Sequence, residues 1–161
     1  MSDRRPEVPA VIDGVVIKPL TVHADERGYL MEILRDDDEM FERFGQVYVT
    51  TCYPGVVKAW HAHAHQVDHV CCLAGTARLG LYDDREGSPT RGETMSVVLG
   101  LVHPVLVEVP KLVWHGFTAL GTETCLVLNL PTQHYNYAQP DELRREPFDA
   151  DIPFDWFAKG E

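Results

Sequence analysis

The sequence predicts an all-β domain, a sandwich or barrel, on three observations. Between Val15 and Leu130, short runs rich in β-branched and aromatic residues recur at intervals of about 8 to 12 residues, with turn-forming residues between them. Only one stretch carries helical spacing. The 161 residues are 45% hydrophobic and 24% charged, which suits one core and a single domain, 1–161, with the core over about 15–130 and a tail over 131–161. A chain of that length buries roughly 70% of its unfolded surface, so it needs neither disulfides nor a structural metal to fold.

Taken in order, the candidate strands are Val15–Leu20, Gly28–Leu34, Gln46–Tyr53, Val57–His65, Asp68–Leu73, Ala77–Tyr82, Glu93–Leu99, Val105–Val109, Gly116–Leu120 and Cys125–Leu130. Asp37–Phe44 reads as a short helix plugging one end. Asp36 can cap it, acids crowd its first turn, and Met40, Phe41 and Phe44 share a face. After Pro131 the chain is rich in Pro, Asp and Tyr and has no period. Tyr135, Tyr137, Phe148, Phe154, Trp156 and Phe157 give this irregular C-terminal tail apolar area to bury, so it is expected to wrap on the sandwich.

Charge excludes some partners. A formal net charge of −11, with only four lysines, leaves no basic stripe for nucleic acid or an anionic membrane. No apolar run reaches the roughly 20 residues of a membrane span. The opening MSDRRPEVPAVIDGVVI is broken by Asp13 before a signal core can form, so a soluble, cytoplasmic protein is expected. Cys71 and Cys72 are adjacent, Cys52 and Cys125 stand alone, and no C-x-x-C pair occurs, which fits reduced core thiols.

The informative stretch is GVVKAWHAHAHQVDHVCCLAG, residues 55–75. In a strand His61, His63 and His65 line one face and Ala62 and Ala64 the other. An unpaired buried imidazole nitrogen loses roughly 1–3 kcal/mol, so a histidine face belongs on a cleft.

Here the sequence resembles the cupin superfamily. Gly55, His61, His63, Asp68 and Gly75 follow its first motif, with Asp in the acid position. Pro110 and His115 follow its second, with Leu112 where the motif has glycine. The resemblance implies a double-stranded β-helix, the cupin jelly roll, with the two motifs on facing strands. More narrowly, nearly the whole chain resembles the dTDP-4-dehydrorhamnose 3,5-epimerase family. ADERGYLMEI matches a family strand through Arg27, Tyr29 and Glu32, and GQVYVT matches the next through Gln46. KAWHAH places Lys58 on a phosphate-binding arginine and His61 on the catalytic histidine. Arg85, Ser88, Pro89, Thr90 and Gly92 match an S-P-T-x-G turn, and His115, Gly116 and Phe117 match an H-G-F piece.

The resemblance implies a dTDP-sugar substrate, no cofactor, and a homodimer in which an N-terminal strand crosses the interface. Such an enzyme removes a proton beside the C4 ketone of a 4-keto-6-deoxyhexose, for which an imidazole with pKa near 6.5 is suited. The site so implied has His61, His63, Asp68 and Tyr135 in the chemistry. Arg27, Tyr29, Glu32, Gln46, Lys58, Arg85, His115 and Asn129 bind substrate, with Tyr29 near the thymine. Two positions depart from the family pattern: Asp68 stands at its lysine and Asn129 at or near its tyrosine acid, while Tyr135 or Tyr137 could still reach the site.

Other readings stay open. HAHAHQ also resembles the motif of the dTDP-4-keto-6-deoxyglucose 3,4-ketoisomerases, which would use His61 and His63. A metal cupin would bind one Zn²⁺, Mn²⁺ or Fe²⁺ through His61, His63, Asp68 and His115. Structurally, Asp68 could fix the tautomer of a neighbouring histidine, and His115 could bond a backbone carbonyl. Arg27 and Arg85 could be surface arginines, while His65 and His69 are expected on the rim. His23, His103 and His134 are expected at the surface, and Trp60 and Trp114 in core or dimer packing.

Overall fold

Twelve strands make up the computed structural model, which describes residues 11–157. The first ten residues of the opening stretch, and the last four of the tail, lie outside the described residues. The strands are β1 (Val16–Pro19), β2 (Val22–Asp25), β3 (Gly28–Met31), β4 (Tyr48–Cys52), β5 (Val57–Ala62), β6 (Asp68–Ala74), β7 (Thr76–Asp83), β8 (Thr94–Gly100), β9 (Val105–Val109), β10 (Val113–Ala119), β11 (Cys125–Asn129) and β12 (Leu143–Arg144). Two five-stranded antiparallel sheets, β1-β9-β6-β11-β4 and β12-β5-β10-β7-β8, face each other, and β2-β3 forms a separate hairpin. This is the jelly-roll arrangement.

Alternation along the strands fills the space between the sheets. Val70, Cys72, Val107 and Val127 of one sheet join Leu79, Leu81, Val97, Leu99 and Val113 of the other in one buried cluster. All four cysteines are buried free thiols. Each sheet is also covered on its outer face. Leu20, Cys71 and Leu106 are packed over by Met31, Ile33, Leu34 and Met40. On the other sheet, Trp60 and Tyr82 are packed over by Ile152 and Trp156 from the tail.

The tail can seat there because β7 carries glycine at position 80. A Cβ at Gly80 would lie 2.7 Å from the Trp156 ring and 2.8 Å from Phe154. Trp60, Phe154 and Trp156 pack edge-on or tilted, with centroids 4.6 to 5.3 Å apart. The expected wrapping of the tail is therefore half realised: Trp156 is buried, but Tyr137 and Phe148 remain 89% and 69% exposed.

The expected helix at Asp37–Phe44 does not form; residues 36–40 make turns and 41–47 are irregular. The acids read as helix-favouring are taken by cations and by backbone groups outside a helix. Asp38 accepts from the Arg35 backbone N–H and the Lys18 ammonium, and Asp37 accepts from the Arg35 guanidinium. Short polar side chains that bond locally in this way compete with helix formation. Phe44, counted on the apolar face, is 65% exposed. Other boundaries also move: the strand expected over Gly28–Leu34 ends at Met31, the histidine strand ends at Ala62, and β2 and β12 were not anticipated.

Candidate active site

Three histidines converge where β5 and β10 lie side by side. His61 is registered opposite His115 on β10 and, on its other side, opposite Arg144 on β12. The strands approach closely because β10 has a glycine: a Cβ on Gly116 would lie 2.3 Å from that of Ala59. Ring centroids of His61 and His115 are 4.3 Å apart, and His63 sits 5.6 to 5.8 Å from both.

Asp68, fully buried on β6, organises this group. Its Oδ2 faces His115 Nε2 at 3.0 Å and His63 Nε2 at 3.3 Å, while Oδ1 accepts from Gln66 at 2.7 Å. On their far sides, His115 Nδ1 meets the Val113 carbonyl at 2.9 Å and His63 Nδ1 meets the Asp141 carbonyl. Asp141 holds the adjoining loop as well, its carboxylate accepting backbone N–H groups of Ala64, His65 and Gln66 at 2.8 to 3.2 Å. The tautomer-fixing reading of Asp68 and the carbonyl bond of His115 therefore both describe contacts that exist. Burial opposes ionisation of Asp68, but the His115 and His63 hydrogen bonds outweigh it and hold the carboxyl well below its usual range. Burial likewise opposes charge on His63, yet the Asp68 hydrogen bond and charge raise its pKa.

His61 differs from its neighbours. Among the described residues no hydrogen-bond partner takes either of its ring nitrogens. Burial first, then the positive fields of His115 and His63, push its pKa well below the ordinary histidine value. It is therefore a neutral imidazole at pH 7, free to accept a proton.

Two cavities, of about 600 and 410 Å³, meet at His61 and share Tyr48, Glu142 and Arg144. Their sizes are typical of small-molecule sites. The larger holds Lys58, whose ammonium donates to Thr50 at 3.1 Å. The smaller holds His63, Gln46 and Tyr135; the Gln46 side chain accepts the Tyr135 backbone N–H at 3.0 Å. Tyr48, Asp141, Glu142 and Arg144 were not singled out from the sequence. The last three lie in the aperiodic tail, and Tyr48 read as an ordinary strand aromatic.

Several expected site residues are elsewhere. Arg27, Tyr29 and Glu32 line neither cavity: Arg27 pairs with Asp25 at the hairpin turn, Tyr29 is 52% exposed, and Glu32 pairs with Arg35. Arg85 lines neither as well. Its guanidinium lies on fully buried Asp83 with two contacts of 2.9 Å, and Ser88 and Thr90 donate to the same carboxylate at 2.6 and 2.7 Å. The S-P-T-x-G match thus marks a turn built around Asp83. Asn129 is buried behind Tyr48, to which it donates. His65 is exposed beyond the strand's end and does not share the histidine face. His69 is not on a rim: it is buried under Met40, its ring bonded to Leu130 and Met40 carbonyls and to Glu108. The sequence did not show that the segment after β3 covers this face of β6.

One nitrogen from each of His61, His63 and His115 lies within 4.8 Å of the others, a spacing that could close on a cation. Asp68 is not part of that set. It already engages the inward nitrogens of His63 and His115, so a metal would have to replace those hydrogen bonds.

Comparison with known proteins gives the family. The sequence pattern of the family described as dTDP-4-dehydrorhamnose 3,5-epimerase matches residues 9–161. The chain belongs to that family. A "probable low-salt glycan biosynthesis epimerase" of Haloferax volcanii is 44% identical over 151 residues, covering 92% of this chain and 96% of the relative. A dTDP sugar isomerase from Desulfovibrio desulfuricans superposes with a TM-score of 0.87 at 31% identity, covering 92% and 94% of the two chains. A 3,5-epimerase from Legionella pneumophila, solved in complex with dTDP-4-keto-L-rhamnose, superposes with a TM-score of 0.82 at 26% identity, over 94% and 82%. Family membership and the jelly-roll fold expected from the sequence are thereby established.

Proposed function

We propose that this protein is an isomerase of carbohydrate biosynthesis that epimerises a dTDP-4-keto-6-deoxyhexose, with His61 removing the proton beside the C4 ketone. The observation that carries the reading is the contrast within the histidine group. His63 and His115 are locked onto Asp68, while His61 is unpaired, neutral and at the junction of the two cavities. Proton loss there puts negative charge on the C4 oxygen, which needs nearby positive groups or donors. By the resemblance Asp68 stands at the family's lysine, but Asp68 favours a charged His63, and Arg144 lines the smaller cavity. The cation is thus held by a carboxylate–imidazole pair in place of an ammonium. Lys58 in the larger cavity, with Arg144 and Arg145 also lining it, suits the diphosphate, since a chain of charge −11 needs local positive groups to overcome its own field.

The reaction so read needs no metal, since Asp68 already occupies the inward faces of two of the three imidazoles. A metal cupin would carry about one equivalent of ion after purification without added metal, and His63→Ala would remove it. The protein is proposed to act as a single domain and as a homodimer in the cytoplasm, without nucleic-acid or membrane partners. Among the described residues no helix is long and apolar enough to cross a membrane. The dimer accounts for the β2–β3 hairpin: its Arg27 and Tyr29, with Glu32 just after β3, stand outside this chain's own cavities and would complete the partner's. Sedimentation showing a monomer at micromolar concentration would overturn it.

The test of the reaction is proton exchange in D₂O followed by NMR. Label entering C3 and C5, lost in His61→Asn, supports epimerisation. Label entering C4 of a 3-keto product, with none at C5, would assign the protein to the ketoisomerases. dTDP should also raise the melting temperature by mass action, more than thymidine does.

A further inference from the structure

Epimerisation needs an acid as well as a base, and the resemblance puts the family's tyrosine acid at or near Asn129, an amide. Asn129 on β11 is registered directly opposite Tyr48 on β4, and its Nδ2 donates to the Tyr48 phenol oxygen at 2.9 Å. The amide cannot turn over, because its Oδ1 accepts the His69 backbone N–H at 3.1 Å and a flip would set donor against donor. The phenol oxygen is therefore held as an acceptor, and its own O–H must point elsewhere. Among the described residues nothing accepts that hydrogen, and the ring lines both cavities together with His61.

From this we propose that Tyr48 is the catalytic acid, the phenol having moved one strand sideways, from the position of Asn129 to the position opposite it. The inference rests on the epimerase reading above. In the step it describes, His61 takes the proton from the carbon beside C4. The C–H electron pair becomes the C=C bond, and the carbonyl pair moves to the C4 oxygen. As the enolate collapses, the same carbon takes the Tyr48 O–H proton on its other face. Solvent then returns a proton to the phenolate and removes one from the His61 imidazolium, so no co-reactant is consumed. Burial, and the negative charge of Asp68, raise the Tyr48 pKa, which keeps the phenol protonated until the enolate forms.

Tyr48→Phe removes one oxygen and retains the ring. Its melting temperature, and the shift that dTDP produces, serve as the check that it folds and binds. In D₂O the variant should still let His61 remove a proton and return deuterium on the same face. Recovered substrate should therefore gain label at near the wild-type rate, while formation of the epimerised product falls ~100-fold or more. Tyr53→Phe, which removes the phenol of an exposed residue outside both cavities, should keep both rates within about threefold. Product formation by Tyr48→Phe within threefold of wild type would overturn the assignment. So would equal loss of exchange and product in a folded, dTDP-binding variant, because Tyr48 would then only place the substrate. A wild type that exchanges no proton would overturn the epimerase reading itself, and this proposal with it.

Discussion

Asp68 and Asp83 are both fully buried carboxylates that ionise more readily than usual, yet they organise different things. Among the described residues, every side-chain donor to Asp83 comes from its own turn, from Arg85, Ser88 and Thr90. Asp68 takes one bond from nearby Gln66 on Oδ1, but its Oδ2 draws on His63 near the end of β5 and on His115, 47 residues along the chain on β10. A carboxylate satisfied by its own loop fixes a backbone path. One satisfied by rings from separate strands fixes side chains around an opening. Sequence motifs mark both places equally well, and only the origin of the donors separates them.

The sharpest way to break the contrast is to neutralise each acid in turn. Asp68→Asn should lower kcat/KM by roughly 10²-fold, of the order a positioned acid–base group contributes, because His63 and His115 lose their common anchor and His63 its reason to be charged. Should kcat/KM stay within threefold, Asp68 would be no more a part of the site than Asp83. Asp83→Ala should leave kcat/KM of the folded enzyme nearly unchanged but cost about 2–4 kcal/mol by urea denaturation, as Arg85, Ser88 and Thr90 lose their acceptor.

The same comparison has a pH form. Burial works against the Asp83 anion, but Arg85 and the two hydroxyls outweigh it and hold its pKa below the usual carboxylate range. A depressed carboxylate stabilises the fold above its unfolded pKa, near 4, and loses that contribution as pH falls through the folded value. The stability gap between wild type and Asp83→Ala should therefore be widest at neutral pH and close in acid. For catalysis, His61 is the group to follow. With its pKa below 6.5, kcat/KM should stay level as pH drops through 6.5 and fall only further into acid. A midpoint at 6.5 or above would mean that the base is not this buried ring.

The smallest effect is expected at Leu112, where the second cupin motif would have glycine. It is the one non-glycine with positive φ among the described residues, at 63°, and it is 43% exposed. Its N–H bonds the His63 carbonyl at 2.7 Å, tying the β9–β10 turn to the histidine loop. Leu112→Gly relieves a left-handed conformation worth roughly 1–2 kcal/mol at the cost of a freer unfolded chain. A net gain of up to about 1 kcal/mol should appear in thermal unfolding, with activity unchanged.

How much of this was legible in the sequence depended on range. Strands such as Val105–Val109 were plain because alternation and turn residues are local signals. His61, His63 and His115 were readable because a motif names them. Asp141, Glu142 and Arg144 were not, since a two-residue strand in a Pro- and Asp-rich tail has no period and its register with His61 is purely tertiary. Tyr48 was hidden differently: a tyrosine in a strand needs no explanation until its neighbour across the ladder turns out to be Asn129. The supposed helix failed because its acids had partners, Lys18 and Arg35, whose reach a helical wheel does not include.

The tail joins two tasks on one short segment. Through Trp156 and Phe154 it seals the outer face over Gly80, and through Asp141 it collects three consecutive backbone N–H groups beside His63. Release of the tail therefore exposes an aromatic socket and unfastens the histidine loop in a single opening. The amides of Ala64, His65 and Gln66 should then exchange hydrogen as one cooperative unit, at a rate set by detachment of the C-terminal segment and not by global unfolding.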